Sequence, residues 1–198
     1  MRLLGKYTGL SLLSACVLTI CVFHPLPSCP PVFAQTSQDF LDVRTDPAGG
    51  VRAIARVTFP ARPEIIHSML TDYQHWPDLF EVRMRLVEMK IHQGVATTDL
   101  RIDHALLPGE RRLVTESRAM PGGGLVTDLV GGDFKRYHRV WKLAPANEGA
   151  ATVADFELVV AIDSIVPDWL VALATRRELE AHFRIVKEKA LARSTVEK

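Results

Sequence analysis

The stretch IVPDWLVALATRRELEAHFRIVKEKA (residues 165–190) decides the fold class. From Pro167 onward the sequence contains neither glycine nor another proline, so no residue in it interrupts a helix. Its apolar residues recur at intervals of three, four and seven, the spacing of one helix face: Trp169, Ala172, Leu179, Phe183, Val186 and Ala190. Arg176 occupies the remaining position of this stripe. We therefore predict one long amphipathic helix at the C-terminal end.

The segments before this helix alternate apolar and polar residues, as half-buried strands do. The clearest runs are residues 51–59 and 152–162, and further candidates are 82–86, 99–106, 111–119, 124–130 and 134–143. Glycine and proline turns separate them, which favours antiparallel hairpins. Helical spacing predicts two short helices, 63–70 and 74–80, after the first strand. We expect an α+β domain whose sheet of about six to seven strands curls around the long helix and leaves a partly filled space between them.

The N-terminal segment has the composition of an export signal. Arg2 and Lys6 precede an uncharged run, residues 9–23, which is too short to span a bilayer as a helix. Small residues before a cleavage point after Ala34 complete the pattern, so residues 1–34 are predicted to be a signal peptide of a periplasmic or secreted protein. A second interpretation is a lipoprotein, because residues 13–16 end in Cys16 and fit a lipobox.

Removal of residues 1–34 leaves 22 basic and 23 acidic residues and no cysteine. The remaining chain therefore has no disulfide and no thiolate nucleophile, and its charge gives no reason to expect nucleic-acid binding. Residues 35–49 lack periodicity and are predicted to be a polar linker. The domain itself is predicted at 50–195.

Three stretches resemble one known superfamily. They are VTFPARPEIIHSMLTDYQHWPDLFEVRMRLVEM (57–89), GGDFKRYHRVWKLAP with the strand ATVADFELVV (131–160), and the helix start PDWL within 165–190. In order and spacing they are similar to the START-like (SRPBCC, helix-grip) superfamily, in its polyketide cyclase/dehydrase or coenzyme Q-binding branch. The resemblance implies that lipids, quinones, sterols or polyketides bind in a tunnel under the long helix. It carries over no catalytic residue and no cofactor, since the family shares no fixed set.

Candidate ligand-binding residues follow from strand faces and from the helix stripe. We name Leu100, Ile102, His104, Phe156, Leu158, Trp76, Trp169, Arg176 and Phe183. His104 shares a strand face with apolar residues, which fits a core histidine, a hydrogen-bond donor to a ligand or an acid/base. Arg176 either reaches the helix edge or holds a ligand carboxylate. The facing of Tyr137 and Trp141 stays open, because a one-residue register change reverses a strand.

These features favour binding of a hydrophobic small molecule over catalysis. The sequence contains no G-x-S-x-G motif of hydrolases, no H-E-x-x-H motif of zinc proteases and no P-loop. Its histidines lack metal-ligand spacing. Two alternatives remain: a cyclase or dehydratase using His104 with Asp103 or Tyr137, and a surface interaction module with a closed cavity. A carrier predicts an almost wholly apolar cavity wall, whereas an enzyme predicts converging titratable groups. Only transient membrane contact is expected, and the sequence does not determine the oligomeric state.

Overall fold

Antiparallel pairing joins eight strands into one sheet in the computed structural model, which describes residues 38–107 and 109–196. The strands are β1 (Phe40–Thr45), β2 (Val51–Phe59), β3 (Arg83–His92), β4 (Val95–Asp103), β5 (Arg111–Ala119), β6 (Gly124–Gly132), β7 (Phe134–Ala146) and β8 (Ala151–Ile162). Their order across the sheet is β1-β2-β8-β7-β6-β5-β4-β3. The predicted signal peptide and the lipobox lie outside the described residues.

In the described residues, two α-helices and two 3₁₀ segments accompany the sheet. Helix α1 (Pro63–Thr71) starts with a proline, which lacks the N–H that a first helical turn leaves unpaired. A 3₁₀ helix (Tyr73–Leu79) follows it, and the long α2 (Asp168–Val196) ends the described chain. A short 3₁₀ turn, Asn147–Gly149, connects β7 to β8. The predicted α+β class and the long C-terminal helix are confirmed.

The linker predicted at 35–49 is wrong in part, because β1 lies inside it. This strand raises the count to eight, one above the upper end of the predicted range. Leu41 and Val43 of β1 alternate with Asp42 and Arg44, but the run is short and none of its residues is fully buried. It is held instead by pairing with β2 and by α2, where Arg176 Nη1 donates to the Leu41 carbonyl oxygen at 3.2 Å. Tertiary contacts of this kind outweigh local strand propensity.

Aromatic side chains fill the core between the sheet and the C-terminal half of α2. Trp141 packs against Phe156 with ring centroids 4.7 Å apart, and Phe183 of α2 lies 5.3 Å from Phe156 and 5.7 Å from Trp141. All three pairs are edge-to-face, a geometry that adds about 1 kcal/mol each beyond the burial of area. Trp141 is therefore on the inner face, which answers the register question for β7.

The predicted apolar stripe of α2 is buried only in its second part. Leu179, Phe183 and Val186 are in the core, but the side chain of Trp169 is 64% exposed. The first turn of α2 is fixed in another way, because the Asp168 carboxylate accepts the Gly50 N–H at 2.9 Å. Among the described residues, no helix has both the length and the apolar composition needed to cross a bilayer.

Candidate functional site

A cavity of about 180 Å³ lies between the sheet and the N-terminal half of α2. Its wall is mostly apolar, with side chains from β3, β4, β5, β7, β8, the 3₁₀ helix and α2. The polar members of the wall are His104, Thr115, Tyr137, Arg139, Thr175 and Glu178. A protein cavity of about 150 Å³ binds benzene, so this space accepts one ring or a short alkyl chain.

The cavity reaches the surface between the loop after β4 and α2. His104, Leu106, Ala174 and Glu178 line both the cavity and a larger surface depression beside it. The exposed Leu173, next to Ala174 on α2, lines the depression and not the cavity. A ligand larger than the cavity can therefore extend outward through this mouth.

His104 is placed at the mouth by the end of β4. The strand stops at Asp103, and the Leu107 N–H donates to the His104 carbonyl oxygen at 2.8 Å in the turn that follows. The Leu106 N–H donates to His104 Nδ1 at 3.1 Å, so the neutral ring carries its proton on Nε2. That nitrogen lies 3.8 Å from Glu178 Oε1 on α2. His104 thus presents an N–H toward the mouth.

Arg139 is the buried cation of the cavity wall. It is on the inner face of β7 and only 6% exposed, and its guanidinium lies 4.5 Å from the Trp76 ring centroid. The indole is itself fixed, because Trp76 Nε1–H donates to the Leu70 carbonyl oxygen at 2.8 Å. Arg139 Nε has no hydrogen-bond partner among the described residues. The sequence analysis missed Arg139, although it alternates with Tyr137 and Trp141 and so shares their face.

Buried hydroxyls extend from the cavity floor across β4, β5 and β6. The Thr98 and Thr115 hydroxyl oxygens are 3.0 Å apart, and those of Ser117 and Thr127 are 2.9 Å apart. All four side chains are almost fully buried. Thr127 is directly opposite Arg139 in the sheet register. Pairing of hydroxyls with each other satisfies groups that burial would otherwise leave without water.

Of the nine predicted site residues, five lie in the cavity wall: Trp76, Leu100, Ile102, His104 and Leu158. Phe156 and Phe183 lie instead in the aromatic core. Trp169 is exposed at the start of α2, and Arg176 faces β1, where it also lies 3.9 Å from Glu180. A ligand contact of any of these residues stays a prediction.

The alternative catalytic hypothesis used His104 with Asp103 or Tyr137, and only some of these residues lie in the cavity wall. His104 and Tyr137 both line the cavity. Asp103 does not, and its carboxylate lies 3.4 Å from Arg83 Nη1 in an exposed ion pair. Glu178 takes the acidic position near His104, and its buried Oε2 has no hydrogen-bond partner in the described part of the chain.

Comparison with solved structures identifies the fold. A START superfamily protein from Mycobacterium smegmatis is 18% identical with a TM-score of 0.58, over 71% of this chain and 97% of that one. A STAR-related lipid transfer protein from Xanthomonas axonopodis is 12% identical with a TM-score of 0.58, over 76% and 92% of the two chains. The Zhui aromatase/cyclase from Streptomyces sp. R1128 is 13% identical with a TM-score of 0.57, over 77% and 96%. No protein-family model and no curated protein matches the sequence.

These likenesses, together with the sheet order and the closing helix, define the class: the chain has the START-like, helix-grip fold. The structural resemblance predicted from the three sequence stretches is confirmed. At such low identity the likeness concerns the fold, and the site must be argued from its own residues.

Proposed function

We propose that this chain binds a hydrophobic small molecule, of lipid, quinone or polyketide type, in the cavity between the sheet and α2. The observation that carries the proposal is a mostly apolar interior that meets the surface at a defined mouth. Each methylene group that leaves water contributes about 0.8 kcal/mol, so an enclosed apolar wall is an effective binding site for such molecules. The Xanthomonas lipid transfer protein and the Streptomyces aromatase/cyclase share the fold, which supports this class of ligand.

The small volume bears on how a ligand enters. Sites for drug-sized molecules are typically about 300–1,000 Å³, well above the 180 Å³ here. A quinone or lipid therefore requires either outward movement of the N-terminal half of α2 or a tail outside the mouth. That half is held by few polar contacts, chiefly Asp168 with Gly50 and Arg176 with Leu41. Local opening of such weakly held segments is common at binding sites.

We further propose that the chain acts outside the cytoplasm, as its N-terminal sequence indicates. An apolar ligand that crosses an aqueous compartment needs such a shelter. Mass spectrometry of the mature protein tests the export route. A first residue of Gln35 is expected, whereas an acylated Cys16 would establish the lipoprotein alternative.

One observation favours catalysis as a second candidate. His104 Nε2 and Glu178 Oε1 are 3.8 Å apart at the mouth, so two titratable groups converge on one place. However, Nδ1 of His104 already accepts a backbone N–H, which leaves Nε2–H as a donor and not as a base. This arrangement suits a hydrogen bond to a ligand carbonyl or hydroxyl. Turnover of a polyketide-like substrate that His104→Phe abolishes, with binding retained, would instead favour the enzyme.

The test of ligand binding combines native mass spectrometry with a variant that fills the cavity. The purified protein is expected to carry a solvent-extractable apolar molecule or to take up the neutral fluorophore N-phenyl-1-naphthylamine. Ala174→Trp places a large side chain in the wall and should reduce uptake at least tenfold. Ala192→Trp, on an exposed part of the same helix, is the matched control and should not change it. An empty protein that takes up no fluorophore would contradict the proposal.

A further inference from the structure

Arg139 is a buried cation with which no carboxylate of the described residues forms an ion pair. The residue is only 6% exposed and lines the cavity. Its Nε has no acceptor among the described residues. Its guanidinium lies over the face of Trp76, which offers a quadrupole and no hydrogen-bond acceptor. Buried charges are costly unless they are paired, so such a cation at a cavity wall indicates a missing anion.

We propose that Arg139 binds the carboxylate of an acidic apolar ligand, such as an aliphatic or aromatic carboxylic acid. This inference rests on the proposed function and adds the ligand's chemical class. A guanidinium presents parallel N–H donors that match a carboxylate in geometry and charge. The Thr127 hydroxyl, directly opposite in the sheet, adds polar surroundings on the same face. A neutral sterol or hydrocarbon would leave the cation unpaired.

The positions of the polar groups also determine the orientation of the ligand. Arg139 lines the cavity but not the surface depression, whereas His104 and Glu178 line both. The carboxylate therefore lies inside, and the apolar tail points past Leu106 and Ala174 toward the mouth. The orientation rests on Arg139, because the depression is lined by charges of both signs, Glu178 and Asp103 with Arg83 and Arg177. A longer tail extends into the depression without displacing the bound carboxylate.

Arg176 was the cation that the sequence suggested for this role, and it provides a matched control. Its Nη1 donates to the Leu41 carbonyl oxygen and its side chain faces β1, outside the cavity wall. Replacement of either arginine by methionine keeps an unbranched apolar stem, shorter than that of arginine, and removes the charge. Only the Arg139 replacement changes the charge inside the cavity.

The experiment measures the affinities of octanoate and 1-octanol for the delipidated protein at pH 7 by isothermal titration calorimetry. The two probes share an eight-carbon chain and differ in the charged head, since an ordinary carboxyl is ionised at this pH. We expect octanoate to bind tenfold to a hundredfold more tightly, as hydrogen bonds to charged groups imply. Arg139→Met should remove this preference with octanol binding retained, Arg139→Lys should keep part of it, and Arg176→Met should keep all of it.

The outcomes distinguish a failure of apolar ligand binding from a failure of the role given to Arg139. Binding of neither probe would contradict the proposed function itself. Equal binding of both probes by the wild type, or an unchanged preference in Arg139→Met, would overturn the role of Arg139 and leave apolar binding in place. The ¹⁵Nε–¹H resonance of Arg139 in the wild type is an independent readout if the variant does not fold. It should shift on addition of octanoate and not of octanol, and the absence of a shift would overturn the proposal.

Discussion

The imidazole of His182 stacks on the ring of Phe80, with centroids 4.2 Å apart and planes within 4° of parallel. His182 Nδ1–H donates to the Leu79 carbonyl oxygen at 2.7 Å, so one side chain of α2 fixes the end of the 3₁₀ helix. Nε2 then has the acceptor lone pair, and it is buried without a partner among the described residues. The folded protein therefore holds this histidine neutral.

This arrangement predicts a loss of stability in mild acid. Burial lowers the pKa of His182 from 6.5 to about 4, and the positive charge of Arg139 acts in the same direction. The unfolded chain binds the proton more readily than the folded chain. The free energy of unfolding is therefore highest above pH 6.5 and falls as the pH drops toward 4. The expected loss at pH 4 is about 3 kcal/mol, measured by urea unfolding across this range.

His182→Asn is the control, since its amide can donate to the same carbonyl oxygen but does not titrate. Its free energy of unfolding should fall much less than that of the wild type between pH 6.5 and 5. Carboxylates add little above pH 5: hydrogen bonds from Arg112 and Lys135 hold the pKa values of Asp99 and Asp163 below 3.8. Their contribution to stability is lost progressively below about pH 5, so the comparison between the two proteins is made from pH 6.5 to 5. An equal slope in the variant would show that another group is responsible.

Gly124, at the start of β6, should not tolerate a side chain. Its φ is +116°, and a Cβ there would overlap the carbonyl oxygen of Trp141 on β7. We expect Gly124→Ala to lower the free energy of unfolding by more than about 3 kcal/mol. Gly122→Ala is the comparison, because Gly122 also has a positive φ of +83° but has no atom within 4 Å of its Cβ position. It should cost about 1–2 kcal/mol, and equal losses would mean that strain rather than overlap dominates.

The hydroxyl pair Thr98–Thr115 should show coupling in a double-mutant cycle. Both side chains are almost fully buried, and their oxygens are 3.0 Å apart. Thr98→Val keeps the shape and leaves the other hydroxyl unpaired, at a cost of about 1–3 kcal/mol. Replacement of both residues by valine should recover most of this loss, as measured by urea unfolding. Simple additivity of the two single changes would contradict the pairing.

The contact between Asp168 and the Gly50 N–H is expected to limit ligand exchange. It joins the first turn of α2 to the β1–β2 loop, at the half of the helix that covers the cavity. Asp168→Ala should speed release of N-phenyl-1-naphthylamine several-fold in stopped-flow measurements. The free energy of unfolding of the whole domain should change little. Asp163→Ala, in the loop before α2 and paired with Lys135, is the control and should leave the rate unchanged.

Periodicity was sufficient to predict the elements that bury their own apolar face. The alternating residues of β2 and the Leu179–Phe183–Val186 part of α2 carry their burial in their spacing, and the structure agrees. Periodicity failed at Trp169. This residue continues the apolar stripe in the sequence, but it lies in the first turn of α2, where no core packs against it. Periodicity missed β1 because the alternation of Leu41 and Val43 with Asp42 and Arg44 is too short to stand out, and pairing with β2 holds the strand.

The site was harder to predict than the fold, because it depends on register and on what stays unpaired. His104 and Leu100 could be assigned to one face from alternation alone, and both line the cavity. Arg139 alternates in the same way, but an arginine on a strand is ordinarily exposed, so only the three-dimensional packing shows it to be buried. Glu178 reaches His104 across 74 positions of sequence, a proximity that no local pattern encodes.

The edge strand β1 has a practical consequence for anyone who shortens this protein. A cut at residue 50, where the linker interpretation would place it, deletes β1 and leaves β2 with a free row of backbone donors and acceptors. Such an uncovered strand invites pairing with other molecules and precipitation. It would also remove the acceptor of Arg176 and the partner of Lys187, whose Nζ lies 2.5 Å from Asp39 Oδ2. A fragment that keeps these contacts therefore has to begin no later than Asp39.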